Sequence, residues 1–434
     1  MSDVVTAARR GTRHGASRAR TQLAMSALAL FPLALHTLAR PVDAQKAKPS
    51  ATPYVPPAGS WERRAPAAVG MDSVKLADAV AFAISKESRT PRDLELHHYN
   101  TFGREPLGDP IGPLPPRGGA TGIIVRRGYV VATWGTPDAP ETTNSVTKSF
   151  VSTVVGLAVD DGRIRSVHDT VAPYVPPIWR ARPNGTGYAK DWPSQGQLLM
   201  PFDTPHNRTI TWDHLLRQVS DWEGTLWGKP EWADRPSNNP AEWTSRPRKA
   251  PGSTYEYNDT RVNVLALAAL QVWRRPLPEV LKERIMDPIG ASNTWRWYGY
   301  ENSWIVLDGR EVQSVSGGGH WGGGMVLSAW DMARFGLLTQ RRGNWGGRQL
   351  LSEAWVGQAL TPTPAQKTYG YMNWFVNPER SYLKAAPEQA FVHVGAGNNF
   401  IYVDPVNDLV AVIRWMDTTA SLNAFVEKLL ASLN

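Results

Sequence analysis

A serine and a lysine three residues apart, Ser145 and Lys148, precede the apolar run Val151–Val159. The spacing of Val154, Val155, Leu157 and Ala158 predicts a buried helix face, so both polar residues fall near the helix start. Residues three apart share one side of a helix, which lets the lysine reach the serine hydroxyl. A serine needs such a neighbour to act as a nucleophile at neutral pH, and a helix start supplies free N–H groups. The pattern therefore predicts nucleophilic catalysis by Ser145, activated by Lys148.

The composition predicts a folded protein without thiol chemistry. The chain has 434 residues, of which 42% are hydrophobic, and it contains 19 tryptophans and no cysteine. The absence of cysteine excludes disulfides, thiolate metal sites and cysteine nucleophiles. We also find no basic run with interleaved aromatic residues, so no nucleic-acid partner is expected.

The N-terminal 44 residues are typical of a secretory signal peptide. Arginines precede the uncharged apolar segment 23–35, and a small-residue cleavage site ends at Ala44. The segment is short for a membrane span, although an uncleaved anchor is the alternative. Cleavage would remove six arginines and two aspartates and lower the formal charge from +8 to +4. We therefore expect a periplasmic or secreted protein, with cleavage near Ala44.

The remaining chain predicts an α/β (α+β) fold. Residues 45–70 are interpreted as a disordered lead-in, and a helix is expected from Met71 with Asp72 or Ser73 as its N-cap. Thr121–Trp134 has the pattern of a β-hairpin, and the C-terminal third returns to strands before a last helix. These patterns predict an antiparallel sheet built from both chain ends and flanked by helices. We assign residues 71–144 and 317–434 to the sheet subdomain and residues 145–316 to an inserted, mostly helical subdomain.

A second motif, Pro251–Asp259 (PGSTYEYND), runs into the apolar helix pattern Val262–Trp273. With Ser145-x-x-Lys148, this segment resembles the serine β-lactamase and penicillin-binding-protein superfamily, in its class C-like branch. The resemblance implies a β-lactamase/transpeptidase-like fold and a catalytic role for Tyr257. It departs from the family at Asp259, where asparagine is usual. Either Asp259 or, with the register slipped by one, Asn258 could fill that position beside the substrate.

A third motif, His393-Val394-Gly395, is similar to the K-x-G or H-x-G triplet of the family strand that lines the cleft. The resemblance implies that His393 and Gly395 contact substrate. It further implies that the N–H groups of Ser145 and Ala396 form the oxyanion hole. Trp222 is expected to form part of the cleft wall. It follows a Val-Ser-Asp segment, where Thr-Ser-Gly is usual in the family.

The resemblance covers the chain from roughly residue 120 to the end, and it implies an acyl-enzyme mechanism. Ser145 attacks a carbonyl, Lys148 and Tyr257 share the proton, and Tyr257 activates the deacylating water. Other catalytic motifs (G-x-S-x-G, H-E-x-x-H, a phosphate-binding loop, or G-x-G-x-x-G after a strand) are not found, nor are histidines at metal-ligand spacing. No cofactor and no metal are expected.

The expected substrate is a small molecule, a short peptide or an oligomer with an ester or amide bond. The histidine of the third motif favours an esterase or amidase, similar to family VIII esterases and 6-aminohexanoate-dimer hydrolases. A true β-lactamase and a D,D- or D-aminopeptidase are the alternatives within this class. A penicillin- or cell-wall-binding protein without turnover is the alternative of another class. The sequence gives no oligomeric state.

Overall fold

The computed structural model describes residues 53–181 and 198–434. Its helices are α1 (Ser73–Ser85), α2 (Leu94–Asn100), α3 (Thr147–Asp160), α4 (Trp212–Leu216), α5 (Asp259–Trp273), α6 (Leu277–Leu281), α7 (Ala329–Gln340), α8 (Glu353–Ala359) and α9 (Thr419–Ala431). Its strands are β1 (Thr121–Arg126), β2 (Tyr129–Trp134), β3 (Glu141–Thr142), β4 (Ile178–Arg180), β5 (Leu198–Leu199), β6 (Thr225–Leu226), β7 (Lys229–Pro230), β8 (Arg296–Leu307), β9 (Arg310–Val315), β10 (Gly324–Leu327), β11 (Asn344–Trp345), β12 (Arg348–Gln349), β13 (Trp374–Val376), β14 (Phe391–Gly395), β15 (Asn399–Asp404) and β16 (Leu409–Arg414). The predicted signal peptide and residues 45–52 lie outside the described residues. Within the described ranges, no helix has the length and apolarity needed to cross a membrane.

The main sheet is built from both ends of the chain, as the sequence predicts. Its strands are ordered β13-β14-β15-β16-β1-β2, and every neighbouring pair is antiparallel. Successive residues of β1 enter different apolar clusters: Ile123 and Val125 pack on one face, and Ile124 packs on the other. Side chains alternate along a strand, so both faces of this sheet are covered. The predicted fold class is confirmed.

The middle of the chain contains more strand than expected. A second sheet, ordered β3-β10-β8-β4-β5 with β9 paired to β8, runs through the subdomain that we predicted to be mostly helical. The hairpin between β8 and β9 turns at Asp308 and Gly309, which both have positive φ. An Asp-Gly pair is a strong hairpin signal, and it was available in the sequence.

The predicted disordered lead-in is wrong for residues 53–70. Arg63 pairs with Val130 of β2, and Trp61 Nε1 donates a hydrogen bond of 2.7 Å to the Gly128 carbonyl. The Arg334 guanidinium binds the carbonyls of Pro56, Pro57 and Ser60. Aromatic burial and these backbone contacts therefore fix a segment whose composition is typical of disorder.

Helix α3 carries the first motif into the protein interior. Asn144–Val146 form one 3-10 turn, and α3 continues from Thr147, so the regular helix begins two residues later than Ser145. Residues i and i+3 eclipse in a 3-10 turn, which brings Lys148 over Ser145. Every residue of α3 from Thr147 to Ala158 is buried.

Candidate active site

Ser145 and Lys148 are in direct contact. Lys148 Nζ donates a hydrogen bond of 2.8 Å to Ser145 Oγ. The lysine side chain is fully buried, whereas Ser145 retains 9% of its surface. A substrate can therefore approach the serine from one side while the lysine stays out of water. The predicted contact between these two residues is present in the structure.

Asp259, and not Asn258, binds the lysine. Lys148 Nζ lies 2.5 Å from Asp259 Oδ1. The Asn258 amide donates to the Glu231 carbonyl at 2.7 Å, and its Oδ1 accepts from Arg261 N at 3.0 Å as the N-cap of α5. Asn258 and Asp259 are both buried, and the Asp259 oxygens are bound by Lys148 and Arg235, so the prediction that either residue contacts substrate is wrong. The Asn258 side chain holds the start of α5, which fixes the place of the next residue.

The Asp259 carboxylate has two cationic neighbours. Its Oδ2 accepts a hydrogen bond of 2.9 Å from Arg235 Nη1, and the same nitrogen binds Asp234. Burial alone would raise the pKa of Asp259, but the charges of Lys148 and Arg235 outweigh burial and hold that pKa below its usual value. Burial keeps the pKa of Asp234 raised despite Arg235. Asp259 is therefore the ionised partner of Lys148 at neutral pH.

Lys148, Asp259, Arg235 and Asp234 form a charge cluster. Tyr257 lies beside two of its cations. Lys148 Nζ is 4.7 Å from the centre of its ring, and Arg235 Cζ is 5.1 Å from it. Burial and the Asp259 charge raise the pKa of Tyr257, while Arg235 and a hydrogen bond with Ser145 act in the opposite direction. The residue as a whole is half-buried.

His320 and Glu105 belong to the same charge cluster, and neither was predicted from the sequence as a site residue. His320 Nε2 lies 2.7 Å from Glu105 Oε2, and its Nδ1 is buried, without a hydrogen bond, 3.6 Å from Asp234 Oδ1. Glu105, Asp234 and His320 each place one possible ligand atom within 4.8 Å of the others. Because Arg235 already pairs with Asp234, we interpret the group as an ion network rather than a metal site. The only local signal was a histidine inside the glycine cluster at residues 317–324.

The prediction that His393 contacts substrate is wrong. Its side chain is fully buried, with Nδ1 2.9 Å from Ser149 Oγ and Nε2 3.4 Å from Thr339 Oγ1. Thr339 donates its own proton to the Gly336 carbonyl, so His393 donates from Nε2 and accepts at Nδ1. Burial lowers the pKa of His393 to about 3. The residue is a neutral core histidine, because the register of β14 turns it towards α3.

Gly395 has a packing role, and its predicted substrate contact stays a prediction. A Cβ at this position would lie 2.1 Å from the Thr143 carbonyl oxygen, so only glycine lets β14 approach the segment before Ser145. The Ala396 carbonyl accepts a hydrogen bond of 2.9 Å from Asn144 Nδ2. These contacts join the end of β14 to the nucleophile turn. The oxyanion hole of Ser145 and Ala396 N–H groups stays a prediction.

Trp222 does not wall a cleft. It is 2% exposed, and its Nε1 donates a hydrogen bond of 2.6 Å to the Pro201 carbonyl. The prediction of substrate contact is wrong for this residue. A tryptophan ring buries a large apolar area once its N–H has a partner, and here the protein interior supplies that partner.

Comparisons with known proteins found related sequences and folds. A sequence model described as Beta-lactamase matches residues 116–420. The 6-aminohexanoate-dimer hydrolase of Paenarthrobacter ureafaciens is 26% identical over 295 residues, which cover 65% of this chain and 68% of that protein.

Two solved structures share the fold. A penicillin-binding protein homologue from Caulobacter crescentus superposes with a TM-score of 0.52 at 16% identity, over 84% of this chain and 99% of that chain. A family VIII carboxylesterase gives a TM-score of 0.50 at 15% identity, with the same coverage of 84% and 99%. At these identities the likeness is one of fold alone.

Proposed function

Because the chain belongs to the Beta-lactamase family, we propose that it is a serine hydrolase that cleaves an ester or amide bond through an acyl-enzyme on Ser145. The observation that carries this proposal is the 2.8 Å contact between Lys148 Nζ and Ser145 Oγ at the start of a buried helix. A partly exposed Tyr257 beside that contact supplies a second proton-transfer group.

The proposed chemistry assigns the serine proton to Tyr257. Lys148 donates to Ser145 and to Asp259, so the Ser145 hydroxyl proton points elsewhere. With Tyr257 ionised, Ser145 Oγ bonds to the substrate carbonyl carbon and its proton moves to the Tyr257 oxygen. Collapse of the tetrahedral intermediate breaks the ester or amide bond, and Tyr257 returns that proton to the leaving oxygen or nitrogen. Arg235 favours the phenolate needed to start the cycle, whereas burial and the Asp259 charge raise the pKa of Tyr257, so the phenolate is a minor fraction at neutral pH.

Deacylation uses the same groups in the same order. Tyr257 takes a proton from a water molecule, the hydroxide adds to the acyl carbon, and Ser145 Oγ leaves with the proton that Tyr257 held. The N–H groups of Ser145 and Ala396 bind the negative oxygen in both steps. Lys148 and Asp259 keep their ion pair throughout.

The proposal of an ester or amide bond is supported by the names of the relatives. The named relative acts on a 6-aminohexanoate dimer, and a structure of the same fold is a carboxylesterase. We further propose export, on the arginine-rich start and the uncharged segment 23–35. N-terminal sequencing of the protein from a secreting host tests this, and an intact residue 1 in the exported fraction would contradict cleavage near Ala44.

The hydrolase proposal is tested with purified protein on p-nitrophenyl butyrate and nitrocefin. We expect Ser145→Ala to abolish hydrolysis and to remove the acyl adduct seen by intact-protein mass spectrometry. Ser152→Ala is the matched control, because its hydroxyl is buried on the same helix without a hydrogen bond.

The rates and the acyl adduct distinguish a hydrolase from three alternatives. Equal rates for wild type and Ser145→Ala would reject the hydrolase. One equivalent of acylation without turnover would identify a binding protein instead. Faster hydrolysis of nitrocefin than of the ester would identify a β-lactamase.

A further inference from the structure

A cavity of about 270 Å³ adjoins the charge cluster. Arg235 lines this cavity, and its Cζ lies 5.1 Å from the centre of the Tyr257 ring. The rings of Trp232 and Trp243, which both line the cavity, stack with centroids 5.6 Å apart and planes 13° apart. Arg235 and Lys249 line it as well. The cavity therefore combines an aromatic wall with three cations. Arg246 is bound to Asp221, Glu231 and Glu256, and Arg235 contacts the candidate active site.

We propose that this cavity is a subsite for a substrate arm that ends in a carboxylate. The inference rests on the proposed hydrolase, and it adds the chemical class of the group next to the scissile bond. A volume of about 270 Å³ is just below the range typical of pockets for whole small molecules, so the cavity takes only part of a substrate.

Arg235 is held so that one side of its guanidinium stays available. Its hydrogen bonds to Asp234 and Asp259 both use Nη1, and Nε and Nη2 have no acceptor among the described residues. Arg235 is exposed, so these N–H groups can donate to a ligand oxygen. A planar guanidinium with free donors is well suited to a carboxylate.

Asp221, the second acidic departure from the family pattern, holds the backbone of Lys249, which lines the cavity. Its carboxylate accepts hydrogen bonds from Arg246 Nη2 at 2.7 Å, Arg261 Nη2 at 2.8 Å and the Lys249 backbone N–H at 2.7 Å. Glu231 completes this buried network by binding Arg261 at 3.0 Å. The Lys249 backbone is therefore anchored, while its ammonium has no carboxylate partner in the described part of the chain.

The acidic residues around the cavity are already engaged. Asp234 binds Arg235, and Glu256 lies 3.1 Å from Arg261. Both oxygens of Glu242 accept hydrogen bonds, from Ser237 at 3.1 Å and from Asn239 at 2.9 Å. Glu242 keeps its negative charge, because both of its donors are neutral. The Lys249 ammonium and the Nε and Nη2 groups of Arg235 are the cationic donors of the cavity that have no carboxylate partner among the described residues, and both attract an anion.

The test compares mono-p-nitrophenyl glutarate, whose acyl arm ends in a carboxylate, with neutral p-nitrophenyl butyrate. We expect wild type to prefer the glutarate ester in kcat/KM, and Lys249→Met to lower the ratio of the two values at least ten-fold. Lys428→Met removes a half-buried lysine on α9, paired with Asp78, and should leave the ratio unchanged. Adding salt should reduce the preference of wild type, because partly exposed charges are screened. A glutarate preference that persists in Lys249→Met would overturn the subsite.

A second substrate separates the two sides of the scissile bond. In 4-(butyryloxy)benzoate the carboxylate is on the leaving group, so a preference for this ester alone would place the subsite on the leaving-group side. Ser145-dependent hydrolysis without preference for either anionic ester would reject the subsite and leave the hydrolase standing.

Isothermal titration with glutarate tests the subsite without turnover. If no ester is cleaved, the proposed function fails, but glutarate binding can still be measured. Binding to wild type that is lost in Lys249→Met would support the subsite. The absence of binding to wild type would overturn it.

Discussion

Lys148 Nζ lies 2.5 Å from Asp259 Oδ1, so the lysine that contacts the proposed nucleophile is also tied to a buried carboxylate. This pair joins the starts of α3 and α5. Asp259 is in turn bound by Arg235, which lines the cavity beside Tyr257. A single carboxylate therefore positions both the lysine of the nucleophile and the arginine of the proposed subsite.

Asp259→Asn should destabilise the protein by about 3–5 kcal/mol, because it leaves the fully buried Lys148 without its carboxylate and Arg235 with Asp234 alone. The pKa of Asp259 is lowered in the folded protein relative to about 3.9 in the unfolded chain. Its contribution is therefore complete above about pH 4 and is lost as the pH falls through the folded pKa. Urea unfolding at several pH values measures the difference from wild type.

The matched control for that variant is Asp308→Asn, which removes a carboxylate from the exposed pair with Arg274. Solvent screens this pair, so we expect little change. Equal destabilisation by the two variants would show that the Lys148–Asp259 pair has no special role in stability.

Tyr257→Phe should lower kcat by about 10²–10⁴-fold, the range for loss of a general acid–base group. The raised pKa of Tyr257 means that the ionised fraction grows with pH, so wild-type kcat should increase above neutral pH and the variant should lack that increase. Tyr174→Phe is the control, since its hydroxyl binds Asp169 away from the site. A Tyr257→Phe variant with the wild-type pH profile would exclude this tyrosine as the base.

His393→Gln should make the free energy of unfolding less dependent on pH in the acid range. It should not change KM for the neutral ester. The folded pKa is about 3, against about 6.5 for an unfolded histidine, so the unfolded chain binds more protons between these values. Wild-type stability is then complete above about pH 6.5 and decreases by up to about 1.4 kcal/mol per pH unit as the pH falls towards 3. Urea unfolding across this range, with the exposed His168→Gln as control, tests the effect. A large increase in KM in His393→Gln would show that His393 contributes to substrate binding.

Gly395→Ala should reduce kcat/KM at least ten-fold, because its Cβ would lie 2.1 Å from the Thr143 carbonyl oxygen. Relief of that overlap displaces the turn that carries Ser145, and small displacements of reacting groups are costly. Gly357→Ala is the control: it lies in α8, and its nearest neighbour is the flexible end of Arg342 at 3.3 Å. Wild-type activity in Gly395→Ala would mean that the nucleophile turn tolerates movement of β14.

The sequence by itself determined the elements whose signals are local. The hairpin of β1 and β2, the C-terminal strands and the helix that follows the Ser145 motif all have a clear hydrophobic period, and each is present in the structure. The contact between Ser145 and Lys148 was also predictable, since it depends only on three residues of one turn. Lead-in residues 53–70 were mispredicted because their partners, Val130 and Arg334, are distant in the chain.

Only the tertiary structure decided which groups meet Lys148 and which do not. Whether Asn258 or Asp259 binds Lys148 depended on the contact between the start of α5 and Glu231. The side to which the His393 side chain turns depended on the register of β14. Glu105, Asp234 and His320 converge from three distant segments. The physical reason is that a buried charge requires partners, and the fold, not the neighbouring sequence, brings those partners within hydrogen-bonding distance.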